Sequence, residues 1–232
     1  SMDPVVAIVG ATGAVGELMC RVVVERQLPF REIRFLASER SVGKQILFKG
    51  QAHTVRALSQ DAFHGVDIVL SSTPASVSRQ WSPVAASAGA TVVDNSSAWR
   101  MDSDVPLVVP EVNANAMDRI PKGIVANPNC STIQMVVALK PIHDAARIKR
   151  IVVSTYQAVS GAGLAGVAEL RRREAGMARH EAPGPGRVGV GFGFRHFVQR
   201  SLADRRHKIE VAERGRTDAL ALHSQFTAAE QR

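Results

Sequence analysis

With 232 residues, 45% of them hydrophobic, the chain can bury a sizeable core and has length for one or two domains. Its two cysteines, Cys20 and Cys130, lie in unrelated surroundings, which argues against a disulfide scaffold and for a reducing compartment. The net charge of +8 is unevenly held: residues 1–170 carry 16 Lys+Arg against 14 Asp+Glu, and residues 171–232 carry 13 against 7. No apolar run reaches the length of a membrane span and no charged-then-apolar leader opens the chain, so a soluble, cytoplasmic protein is expected. Ser1 before Met2 reads as an expression scar. The arginine-rich tail could meet a polyanion. It has no nucleic-acid motif and few aromatics for stacking (Phe192, Phe194, Phe197, Phe226), so nucleic acid is not an expected partner.

Val5-Val6-Ala7-Ile8-Val9 is a continuous apolar run of the kind buried on both faces in a parallel sheet. It leads into Gly10-Ala11-Thr12-Gly13-Ala14-Val15-Gly16 and a helical pattern through about Glu25, on which Cys20 reads as core. Ile33 to Ala37 is the next strand, and residues 45–58 alternate loosely enough to be read as strand. Asp67 to Ser72 is another strand, followed by a helix-compatible stretch from Ala75 to Ala88 and a strand over Thr91 to Asp94. Gly123 to Ala126 is a short apolar strand, Asn127-Pro128-Asn129 is turn chemistry, and Ser131 to Lys140 is helix-compatible. Ile148 to Val159 is β-branched and opens into Ser160-Gly161-Ala162-Gly163. Strands alternating with helices predict an α/β fold, a doubly wound parallel sheet with right-handed crossovers.

In such a fold ligands collect beyond the C-terminal strand ends. The polar clusters fall there: Gly10–Gly16, Ser38–Lys44, Ser71–Thr73, Asn95–Ser97 and Asn127–Thr132. Together they predict one cleft. Gly10-x-x-Gly13-x-x-Gly16 after the first strand is a variant of the dinucleotide fingerprint, making the domain Rossmann-like. Its glycines permit a tight turn and close approach of a pyrophosphate, and Thr12 adds a hydroxyl. The second strand ends in Ala37-Ser38-Glu39-Arg40-Ser41-Val42-Gly43-Lys44. Ser38, Ser41, Arg40 and Lys44 suit a 2′-phosphate and Glu39 opposes it, so NADP is the expected cofactor. The expected cofactor contacts are Gly10, Thr12, Gly13, Ala14, Val15, Gly16, Ser38, Arg40, Ser41, Lys44, Ser72, Thr73 and Gly161. No metal site is expected.

Asn127-Pro128-Asn129-Cys130-Ser131-Thr132 puts a thiol at or beside a helix N-terminus. There unpaired N–H groups and the macrodipole favour a thiolate, and the same N–H groups could hold an oxyanion. Arg100, after a strand-end loop, offers a planar fork that fits phosphate or carboxylate.

These elements together resemble the aspartate-β-semialdehyde dehydrogenase family. The matching runs are Gly10 to Gly16, Ala37 to Lys44, Asp94-Asn95-Ser96-Ser97-Ala98-Trp99-Arg100, Val109-Pro110-Glu111-Val112-Asn113, Asn127 to Thr132 and Tyr156 to Gly163. They occur in family order over residues 4 to about 172. The resemblance implies reversible, NADP-dependent reduction of aspartyl β-phosphate to aspartate β-semialdehyde through a Cys130 thioester, in the pathway to lysine, threonine and methionine. It implies Gln157 as a positioning group, Arg100, Asn129 and Ser160 as substrate contacts, and a homo-oligomer. N-acetyl-γ-glutamyl-phosphate reductase is the neighbouring family; it typically has Gly where Asn129 stands.

Family members are longer and supply a histidine acid/base in an Arg-Val-Pro-Val-x-x-Gly-His type of segment. Here Arg187 to His196 mimics it poorly, leaving His196 as the nearest candidate. The expected division is a nucleotide domain over residues 1–129 and an atypical α+β catalytic and dimerisation domain over 130–232, incomplete and divergent after about 170, with no strand alternation in the tail. A frame shift or genuine divergence would each produce that tail. Impaired turnover, a doubtful oligomer, and the alternative of a non-catalytic NADP-binding remnant follow from it.

Overall fold

The computed structural model describes residues 3–153, residues 167–172 and the backbone of residues 209–211. The chain divides into two compact units, Ser1–Pro128 and Asn129–Arg232.

The first unit is built on β1 (Val5–Val9), every residue of which is buried. β2 (Glu32–Ala37) pairs with one edge of β1 and β6 (Ile68–Ser71) with the other, both parallel. β5 (Arg56–Ala57) extends the sheet beyond β2, and β7 (Thr91–Asp94) and β8 (Ile124–Ala126) extend it beyond β6. The order is therefore β5-β2-β1-β6-β7-β8, all parallel. Successive connections leave β1 in opposite directions, and the crevice between the ends of β1 and β6 is the topological switch point. The α/β, doubly wound expectation holds.

α1 (Ala14–Glu25) buries Gly16, Cys20 and Val23 at helical spacing, and Cys20 and Val23 join Ile33, Phe35 and Phe48 in one core cluster. Fully burying side chains such as Phe35 stabilises the fold by about 1.5–3 kcal/mol each. The loosely alternating residues 45–58 resolve into a hairpin, β3 (Gln45–Phe48) and β4 (Gln51–Thr54), followed by β5. Lys49 and Gly50 both have positive φ (49° and 77°), the turn whose twist matches a two-residue hairpin. Phe48 and His53 lean edge-on against Phe35 from the two hairpin strands.

α2 (Ala75–Ser87) turns Ser78, Ser82 and Ala85 inward, a small and polar face in place of a bulky apolar one. α3 (Pro110–Asn113) is a single turn; the Asn113 amide folds back to accept from Val109 N–H and donate to the Leu107 carbonyl.

In the second unit α4 (Cys130–Ala146) runs six residues beyond the expected end at Lys140, carrying Pro141 inside it. β9 (Ile151–Val153) is the described part of the predicted strand over 148–159. A helical segment follows at 167–172. The tail, expected to show no strand alternation, carries one short strand that the pattern does not announce: β10 (Ile209–Val211) pairs parallel with β9. Three residues in an arginine-rich setting are too few to display an alternation.

Candidate functional site

The glycine turn sits at the switch point. Gly10 has φ +83°, and a Cβ there would collide with the Ser72 carbonyl at the end of β6. A Cβ on Gly16 would collide with the Gly10 carbonyl, so α1 is seated directly against the turn. Gly10 N–H is tied to the Leu36 carbonyl (2.8 Å). Both glycines are thus required by the backbone itself, and the α1 N-terminus, with no side-chain cap at Gly13, lies open to an anion in the way a dinucleotide pyrophosphate needs. Ala14 and Val15 are exposed at the first turn. Ser72 and Thr73 line the β6 side half-buried.

Beside this turn the β2 loop makes one 3-10 turn, Glu39–Ser41. Ser38, Arg40 and Lys44 are exposed, as is Glu39. Ser41 differs from them: it is buried, and its hydroxyl accepts from Thr12 (3.1 Å), joining the β2 loop to the glycine turn. A groove of about 650 Å³ adjoins it between α1 and the β3–β4 hairpin, lined by Thr12, Glu17, Arg21, Lys44 and Phe48.

At the end of β7, Asp94 is fully buried. Its Oδ2 accepts from Ser78 (2.5 Å) and Ser82 (3.1 Å) of α2. Its Oδ1 accepts from the Ser96 N–H (2.7 Å) and the Ser96 hydroxyl (2.5 Å). Hydrogen bonds to a charged group are worth about 1.5–3 kcal/mol each, and these four offset desolvation of the carboxylate. Trp99 Nε1 donates to Ser78 (2.8 Å). Arg100 Nε donates to the Asn127 carbonyl (2.8 Å) and Nη2 to the Asn95 carbonyl (3.3 Å), holding the guanidinium across the ends of β7 and β8. Sequence reasoning singled out Arg100 and placed Asn127 in a strand-end cluster, but missed Ser78 and Ser82. Two serines four residues apart on a helix face otherwise directed to the core were the available signal.

In the second unit Cys130 is the first residue of α4 and is exposed. Asn129 is its N-cap: Oδ1 accepts from Ser131 N–H (2.9 Å) and Thr132 N–H (3.4 Å), and the Asn129 carbonyl accepts from Ile133 N–H (2.9 Å). The expectation that first-turn N–H groups hold an oxyanion is therefore corrected for Ser131 and Thr132, whose N–H groups the Asn129 side chain occupies. Cys20 is buried, as expected, and burial raises its thiol pKa. Gln157, Ser160, Gly161 and His196 lie outside the described residues. Among the described residues there is no cluster of metal-ligating side chains, and no helix is long and apolar enough to cross a membrane.

A doubly wound sheet with a glycine turn at its switch point defines a dinucleotide-binding α/β protein. A family model for the semialdehyde dehydrogenase NAD binding domain matches residues 5–120, and one for the semialdehyde dehydrogenase dimerisation domain matches residues 139–217. The chain belongs to the semialdehyde dehydrogenase family. It is 59% identical over 170 residues to an aspartate-semialdehyde dehydrogenase of Aquifex aeolicus, covering 72% of this chain and 50% of that protein. Among solved structures, aspartate semialdehyde dehydrogenase II of Vibrio cholerae, complexed with ASA, is 48% identical with a TM-score of 0.74 over 82% of this chain and 56% of that one. The enzyme of Candida albicans, solved with NADP, is 26% identical with a TM-score of 0.53, over 63% of this chain and 48% of that one. The chain spans about half the length of the curated relatives it matches.

Proposed function

We propose that this chain carries the nucleotide half and the nucleophile of an aspartate-β-semialdehyde dehydrogenase, which interconverts aspartyl β-phosphate and aspartate β-semialdehyde. The observation that carries the reading is Cys130, an exposed thiol opening α4 in a chain of this family. As thiolate, Cys130 attacks the acyl carbon, the carbon–oxygen bond to phosphate breaks, and inorganic phosphate leaves from a Cys130 thioester. The bound nicotinamide supplies the hydride that takes the acyl group to the aldehyde level. At the resulting hemithioacetal the oxygen gives up its proton, the carbon–oxygen double bond re-forms as the carbon–sulfur bond breaks, and Cys130 leaves as the thiolate.

Arg100 is assigned to an oxyanion of the substrate or to phosphate, its guanidinium oriented by two backbone carbonyls. Gln157 is assigned to holding the reacting groups, Asn129 and Ser160 to the acyl subsite, and His196 to proton transfer. The cofactor is proposed as NADP, with Arg40, Lys44 and Ser38 toward the 2′-phosphate, and Gly161 closing on the cofactor. Gly10 and Gly16 are assigned to the tight turn and the close seat of α1 that a pyrophosphate site needs, since a Cβ on either would meet backbone. A homo-oligomer formed through the dimerisation domain is part of the proposal.

The test is chemical labelling. Iodoacetamide at neutral pH should alkylate Cys130 ahead of Cys20, and aspartate semialdehyde should protect it. Equal labelling of both cysteines, unaffected by aspartate semialdehyde, would overturn the assignment of Cys130 as nucleophile.

A further inference from the structure

We infer that Asp94 is a positioning residue for Arg100, setting the guanidinium through one peptide plane on one side and one indole on the other. The inference rests on the reading of Arg100 as the anion contact.

The Asn95–Ser96 peptide is shared by both side chains. Its N–H donates to Asp94 Oδ1 (2.7 Å), and its carbonyl accepts from Arg100 Nη2 (3.3 Å). Because a peptide is planar, fixing the N–H fixes the direction of the carbonyl. The second acceptor of Arg100 is the Asn127 carbonyl, and Asn127 N–H donates to the Asp94 carbonyl (2.8 Å). Among the described residues, the two carbonyls that accept from the guanidinium thus belong to segments bonded to Asp94: the Asn95–Ser96 peptide is held by its carboxylate, and Asn127 by its main-chain carbonyl.

The other end of the loop is tied to the same carboxylate. Ser96 Oγ donates to Asp94 and accepts from Ala98 N–H (3.1 Å), closing the loop on itself. Trp99, the neighbour of Arg100, donates its indole N–H to Ser78, whose hydroxyl donates to Asp94 Oδ2. Ser78 has one hydroxyl proton, so accepting from Trp99 and donating to Asp94 is a consistent assignment. A neutral core residue in place of Asp94 would bury the sheet end equally well but would leave the Ser96 N–H without this acceptor, and Ser78 and Ser82 with only each other (3.2 Å). The arrangement orients a loop rather than filling space.

The experiment uses the whole chain. The Arg100 Nε–H resonance is assigned by its loss in Arg100→Lys, and its hydrogen exchange is measured in Asp94→Asn and Trp99→Phe alongside an inorganic phosphate titration. Asp94→Asn keeps an oxygen for Ser96 N–H but removes the acceptor facing α2. Expected are an exchange rate at Arg100 faster by about tenfold, a shifted Trp99 indole resonance, and phosphate affinity lowered by about the same factor. Val69→Ala, a buried core truncation in β6, should lower Tm without moving the Arg100 signal. Unchanged Arg100 exchange in folded Asp94→Asn and in Trp99→Phe overturns the inference. If Asp94→Asn does not fold, Trp99→Phe and Ser82→Ala decide it by the same readouts. Faster exchange with no phosphate response in the unaltered protein overturns the anion role of Arg100, and with it the functional half of the inference. The hold of Asp94 on Arg100 would then stand.

Discussion

Thr12 donates its hydroxyl to Ser41 across 3.1 Å, linking the first glycine turn to the loop after β2. The two loops meet because β1 and β2 are adjacent and parallel, with their C-terminal ends at one edge. Ser41 is expected to face a cofactor phosphate; its hydroxyl is buried and accepts from Thr12. Ser41→Ala should lower stability by about 1 kcal/mol, read as a reduced Tm. It should weaken NADPH binding less than loss of Arg40 does. A fluorescence titration in which Ser41→Ala is the worse of the two would show that Ser41 contacts the nucleotide directly.

Arg40→Asp should abolish a preference for NADPH over NADH. The guanidinium is exposed, and on the proposed NADP assignment it would meet the 2′-phosphate, where a charge-assisted hydrogen bond of about 1.5–3 kcal/mol corresponds to tenfold or more in affinity. NADH binding should be nearly unchanged by the substitution, since its ribose carries no phosphate at that position. Equal affinities for the two nucleotides in the unaltered protein would refute the assignment.

The parallel sheet was legible because β1, β6, β7 and β8 are apolar runs punctuated by glycine, serine and asparagine at their ends. Gly10 and Gly16 were legible because only a residue without Cβ fits where the turn meets the Ser72 and Gly10 carbonyls. The hairpin over 45–54 was harder: only Phe48 of β3 is fully buried, so its alternation is faint. Asp94 was read as a strand end and part of a motif, not as a hub. Its partners Ser78 and Ser82 lie 16 and 12 residues away on a helix, and a contact of that kind leaves no local pattern. The length of α4 was missed because Pro141 reads as a stop, whereas α4 runs through it after eleven helical residues.

Cys20 should give the protein an alkaline limb of instability. Burial, helped by the nearby Glu17 carboxylate, raises its thiol above the ordinary value. The sign follows: below the unfolded pKa of about 8.5 the thiol is protonated in both states and its contribution is fully present. As pH rises toward the higher folded value the unfolded state loses its proton first, and stability falls. Cys20→Ala lowers stability at pH 7 through the lost packing but should flatten the decline above about pH 8.5. Urea midpoints across that range test it, and parallel curves for the two proteins would assign the alkaline limb to another group.

Asn129 separates capping from chemistry. Its Oδ1 serves Ser131 and Thr132 N–H at the start of α4, so Asn129→Ala should cost about 1 kcal/mol of stability. Asn129→Ser restores an acceptor at the N-cap and should recover most of that loss. If the Asn129 amide also contacts the acyl group, both variants should lose phosphate-dependent reduction of NADP with aspartate semialdehyde, the serine variant despite its recovered Tm. Cys130→Ala sets the floor of the same assay, because without sulfur no thioester forms. Activity restored together with stability in Asn129→Ser would confine Asn129 to the cap, and activity surviving in Cys130→Ala would remove the thioester route altogether.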